Sequence, residues 1–146
     1  MTKRLIVCSA VILGLVAGCG KAYVKETEQF AAKVKSLVKP DELQAWATNL
    51  IANARSRDGE SSVGVKAADI PKWVGMIYKD DGDPGRVSIE GLSNGVGTTN
   101  SCVEILFGGG FGHWGIDVGY PSLAATTTGS CYVLPWKPGI FFWSCQ

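Results

Sequence analysis

The fold of this chain turns on residues 131–145, Cys131-Tyr132-Val133-Leu134-Pro135-Trp136-Lys137-Pro138-Gly139-Ile140-Phe141-Phe142-Trp143-Ser144-Cys145. Two runs of β-branched, aliphatic and aromatic residues, 131–134 and 140–143, bracket a Pro-Trp-Lys-Pro-Gly segment. Proline presets one backbone angle and glycine accepts the positive φ of a turn, so the pattern predicts a β-hairpin. Working back along the chain, Cys102 to Phe107 and His113 to Val118 bracket Gly108-Gly109-Gly110-Phe111-Gly112, a second predicted hairpin. Trp73 to Tyr78 and Arg86 to Glu90 bracket Lys79-Asp80-Asp81-Gly82-Asp83-Pro84-Gly85 and predict a third. Ser93–Ser101 and Tyr120–Ser130 read as loops.

Before residue 58 the periodicity is helical. Phe30, Val34, Leu37 and Val38, then Leu43, Trp46, Ala47, Leu50, Ile51 and Ala54, recur at spacings of three and four. Pro40-Asp41-Glu42 suits a first helical turn, where proline loses no hydrogen bond and acids meet the positive end of the dipole. The prediction is two helices, about 22–38 and 40–56, or one helix kinked at Pro40. Arg55 to Ala68 is polar and reads as a linker.

These signals give an α+β class: two N-terminal helices packed on an antiparallel sheet built from about three β-hairpins. A helical segment 19–57 and a β-rich segment 69–146 are expected to form one domain, the size that 146 residues allow. Hydrophobic residues are 46% and charged residues 18%, which excludes intrinsic disorder. A formal charge of +1 lacks the basic excess of a nucleic-acid binder.

The start of the chain reads as an address. Lys3 and Arg4 precede an uncharged apolar stretch, Leu5 to Gly18. As a helix it spans about 21 Å, short of a hydrocarbon core of about 30 Å, and so suits a signal peptide over residues 1–18. It ends Leu15-Val16-Ala17-Gly18-Cys19. This resembles the lipobox of bacterial lipoproteins: an aliphatic residue, two small residues, then a cysteine that takes acyl chains such as palmitate and becomes the mature N-terminus. The resemblance implies a lipid anchor on Cys19 and a place in the bacterial cell envelope. Gly20 stands where Asp would signal retention at the inner membrane, so an outer membrane is implied where the cell has one.

Removing residues 1–18 brings the net charge to −1, divided unevenly. Residues 19–57 hold seven basic and four acidic residues, and residues 58–146 hold five and nine.

Cys102, Cys131 and Cys145 then remain for disulfide chemistry. Outside the cytoplasm thiols oxidise, so one bond is expected, with all three pairings open. With no CxxC and only one histidine, neither a metal site nor a cofactor is expected. Asp80, Asp81 and Asp83 lack the spacing of an EF-hand and read as turn residues, and Gly108–Gly112 lacks the ending of a phosphate loop.

The single histidine lies in Gly112-His113-Trp114-Gly115-Ile116-Asp117-Val118-Gly119. This resembles the strand bearing the catalytic histidine in NlpC-type papain-like hydrolases. The resemblance implies His113 as partner to a thiolate nucleophile, with no further polar partner matched. Among the aromatic residues, Trp136 in the last turn and Trp114 are the candidates for ligand contact, since planar rings suit sugar faces and interfaces. The expected function is a membrane-anchored envelope lipoprotein with a small binding or structural ectodomain, its partner an envelope protein or a glycan. The alternative is a Cys–His acyl hydrolase or peptidase using His113.

Overall fold

The computed structural model describes residues 24–81, 86–107, 113–125 and 131–145. The signal segment, Cys19, the glycine run 108–112 and the side chains of Asp80, Asp81 and Asp83 lie outside the described residues. Helix α1 covers 24–37 and α2 covers Pro40–Asn53. A strand β1, Ser62–Gly64, follows, then a 3-10 turn, Ala67–Asp69, and helix α3, Lys72–Asp81. Five further strands are β2 Arg86–Glu90, β3 Cys102–Phe107, β4 His113–Gly119, β5 Tyr132–Lys137 and β6 Ile140–Cys145. They form one open antiparallel sheet of order β1-β2-β3-β4-β6-β5. This is the expected α+β class, with corrections in three places.

Residues 73–78 are not a strand. Pro71 precedes α3, and its carbonyl accepts from the Val74 N–H. Val74 and Ile77, three apart, are fully buried while Met76 is exposed. That spacing makes one helical face out of a run whose composition suggests β structure. The partner of β2 is instead β1, inside the segment read as a linker, with Val63 opposite Ile89. In the final hairpin the turn shrinks to Pro138-Gly139, and Pro135, Trp136 and Lys137 join β5. Gly139 takes φ +84°, and a Cβ there would collide with the Tyr120 carbonyl oxygen, so both conformation and space require glycine.

The helices pack on one face of the sheet. Thr27, Phe30, Ala31 and Val34 of α1 and Leu43, Gln44, Ala47 and Ile51 of α2 form two buried stripes. They meet the alternate residues Val103, Ile105 and Phe107, then Ile116 and Val118, then Ile140 and Phe142. Phe30 meets Phe107 and Phe142 edge-on, with centroids 4.8 and 5.8 Å apart. Polar pins fix the register between layers. Thr27 and Ser144 hydroxyls bond at 2.8 Å, and the buried Gln44 amide donates to the carbonyls of Gly119 and Pro138, each at 2.9 Å. Among the described residues, no helix is long and apolar enough to cross a membrane.

β5 is an edge strand, and it carries the exposed Pro135 beside a bulge between Pro135 and Lys137.

Candidate functional site

Among the described residues, no helix covers the other face of the sheet. Strand alternation sends Arg86, Ser88 and Glu90 of β2, Cys102 and Glu104 of β3, and Asp117 of β4 to this side, with Phe141, Trp143 and Cys145 of β6. A cleft of about 380 Å³ opens here between β2 and the edge strand, with Ala125 on its rim.

Its polar half is acidic. Glu104 lies directly opposite Asp117 across β3 and β4, and Glu90 opposite Cys102 across β2 and β3. The Arg86 guanidinium bridges two of these carboxylates, 3.4 Å from Glu104 and 3.8 Å from Glu90. The Ser88 hydroxyl donates to Glu90 at 2.6 Å. Among the described residues, the third carboxylate, Asp117, takes only an indole: Trp143 Nε1 donates to its Oδ1 at 2.8 Å. Burial pushes the Asp117 carboxyl up to about 7, with Glu104 and Glu90 pushing the same way and the Trp143 hydrogen bond partly opposing them. Asp117 therefore holds its proton to a much higher pH than an ordinary carboxyl does.

The apolar half is an aromatic shelf. Trp143 pairs with Gly115, and a Cβ on Gly115 would meet Trp143 Cζ2 at 2.6 Å and the Ile105 carbonyl oxygen at 2.7 Å. Glycine thus lets the indole lie against the strand, held from one side by Asp117. Its other side, with Phe141 and Val133, lines the cleft.

The sequence-picked residues fall in different places. Cys131 and Cys145 form the disulfide, with Cα atoms 4.2 Å apart, joining β5 to β6 at the cleft. Cys102 is the free thiol in the described residues. Burial, reinforced by Asp117, Glu104 and Glu90, pushes this thiol strongly up, away from the thiolate a nucleophile needs. It pairs with Gly119, at the opposite end of β4 from His113. Six residues of strand put them about 20 Å apart, so no Cys102–His113 dyad forms. His113 is exposed and pairs with the disulfide-bonded Cys145.

Trp136 sits in β5 and not at a turn tip. Its ring stacks on Phe142 at 5.6 Å, with the Lys35 ammonium 5.6 Å from its centroid. Trp114 also packs against the core on the helix-covered side.

Glu90, Glu104 and Asp117 are not among the candidates that the sequence singles out, and Trp143 is one aromatic residue among many there. A signal was present, since Glu104 and Asp117 each interrupt an apolar strand alone, at positions facing away from the core. Among the described residues, no three His, Cys, Asp or Glu side chains converge to hold a metal ion. Neither a protein-family model, nor a curated protein, nor a solved structure matches this chain.

Proposed function

We propose that this chain is a bacterial envelope lipoprotein, anchored through Cys19, whose ectodomain is a binding module for an amine-bearing sugar in the open cleft. The observation that carries the binding reading is the pairing of an aromatic shelf with three carboxylates set against one guanidinium in a cavity of about 380 Å³. Carboxylate oxygens accept from hydroxyl and ammonium donors, and an indole face covers the apolar face of a sugar ring. Asp117 is short of partners next to Glu104 and Glu90, so an incoming ammonium relieves repulsion that the fold leaves in place. The Cys131–Cys145 bond supports an oxidising compartment, in keeping with the lipobox-like ending at Cys19.

Two measurements test the reading. For the cleft, the Trp143 indole Nε1–H resonance is followed while glucosamine is titrated in, with glucose and 1,5-diaminopentane as comparison probes. A saturable shift is expected with glucosamine, weaker with either comparison probe and lost in a Glu104→Gln, Asp117→Asn double variant. No saturable shift with any of the three would refute the cleft as a binding site. For the anchor, the intact mass of membrane-extracted protein should show acyl chains on an N-terminal Cys19. A full-length, lipid-free mass would remove the lipoprotein assignment and leave the cleft reading standing.

A further inference from the structure

The disulfide has a neighbour that a simple staple does not need. His113 is the register partner of Cys145 across β4 and β6. Trp143, two residues before Cys145, lies against Gly115 and bonds Asp117, which fixes the facing of both strands. By alternation His113, Gly115 and Asp117 share a face with Trp143 and Cys145. Cβ atoms of such a cross-strand pair stand about 4.5–5.5 Å apart. Cys145 is thus flanked by Cys131 on one side and by an exposed imidazole on the other. Among the described residues, no hydrogen bond occupies the nitrogens of His113. The next titratable groups on this face are Asp117 on β4, then Glu104 and Cys102 on β3. The disulfide is half-exposed at the cleft, and Cys131 precedes an edge strand.

We propose that Cys131–Cys145 is a thiol–disulfide exchange site for a dithiol partner, with His113 holding the Cys145 thiolate as it leaves. Exchange requires in-line attack along the S–S axis. Cys131 adjoins β5, the edge strand, whereas β4 and His113 stand on the far side of Cys145, so among the described strands only the Cys131 sulfur has no further strand beyond it. A thiolate of the dithiol, its proton lost to water, therefore bonds to the Cys131 sulfur. The S–S bond breaks, and its electron pair stays on Cys145, to which the imidazole donates an N–H before water supplies a proton. The second thiol of the partner loses its proton and attacks its own sulfur in the mixed disulfide. This releases Cys131, which is protonated in turn. Two electrons and two protons pass to the cysteines, and the partner departs as its own disulfide. The inference is independent of the ligand reading of the cleft.

The test uses the full chain in native buffer without denaturant. Reduction by dithiothreitol is followed by alkylation and mass between about pH 6 and 8, in the unsubstituted protein and in His113→Leu, whose side chain has no donor. Glutathione is then used as a monothiol to trap the mixed disulfide, and peptide mapping locates the adduct. The expected results are reduction of the folded protein, about tenfold slower in His113→Leu, and an adduct on Cys131 with Cys145 open to alkylation. In the reduced protein, the alkylation of Cys145 should begin at a lower pH than that of Cys131, a difference that His113→Leu removes. His113→Lys, which restores a donor, should recover part of the rate. Three results would each overturn the proposal: reduction only on unfolding, an unchanged rate in His113→Leu, or an adduct on Cys145.

Discussion

The two faces of this sheet are made by the same strands, residue by alternate residue, and they differ in nearly every physical respect. On the helix side, Val103, Ile105, Phe107, Ile116, Val118, Ile140 and Phe142 are all fully buried. On the other side stand the exposed Arg86 and the partly buried Glu90, Glu104 and Asp117, with Glu104 and Asp117 opposite one another. Like charges directly opposed across strands weaken a sheet. The helix-covered face holds the structure together, and the open face carries electrostatic strain that the first makes tolerable. The proposed binding role of the cleft rests on that strain.

The largest effect should come from the covered face. Phe142→Ala removes the ring that touches Phe30 and Trp136, and a loss of about 3–5 kcal/mol is expected in urea unfolding with the disulfide intact. A loss under about 1 kcal/mol would mean that the helices hold the sheet by other means and would erase the contrast.

An intermediate effect of opposite sign should come from the open face. Asp117 has its folded pKa raised from 3.8 to about 7, so the folded state binds the proton more tightly than the unfolded chain. Its contribution is most favourable below about pH 4 and is lost as pH rises toward 7. Asp117→Asn keeps an acceptor for the Trp143 indole and has no charge to bury. The variant should be more stable than the parent at pH 8, by on the order of 2 kcal/mol once partial exposure is allowed for. The parent's decline in stability between about pH 4 and 7 should flatten in the variant. Equal pH profiles for the two proteins would show that this carboxylate is not strained.

The smallest stability effect should follow Arg86→Ala. Its side chain is 65% exposed, so its bridges to Glu90 and Glu104 are worth within about 0.5 kcal/mol. The same change leaves Glu90 and Glu104 without their cation, and 1,5-diaminopentane should then bind severalfold more tightly. Unaltered or weaker binding of that probe would separate the cleft's charge from its affinity.

Much of the architecture is legible in the residues, because burial imposes a period. The stripes of α1 and α2 and the alternation in β3, β4 and β6 follow from needing one apolar side. Two elements escape that logic. β1 is only Ser62-Val63-Gly64, too short for a period, and becomes a strand because Glu90, Ile89 and Ser88 offer it an edge. α3 buries Val74 and Ile77 from a run of β-forming residues, where tertiary contact overrides propensity. The site is harder to read because it is a product of register. Glu104 and Asp117 are thirteen positions apart and come together only when Ile105 faces Ile116. The disulfide pairing, one of three open from spacing alone, follows from Tyr132 standing opposite Ser144. His113, by contrast, stands out in the sequence, yet the cysteine beside it is not the free one.

The proline in β5 has one more consequence. An open sheet offers each edge as a template on which a further strand, its own kind included, can be laid. Pro135 has no N–H to offer, and the bulge beside it turns the following residues out of line. At the opposite edge β1 presents only three residues, one of them glycine. Growth by strand addition is therefore discouraged at both borders, so that a sheet with one uncovered face can stand crowded among its own copies without seeding fibres.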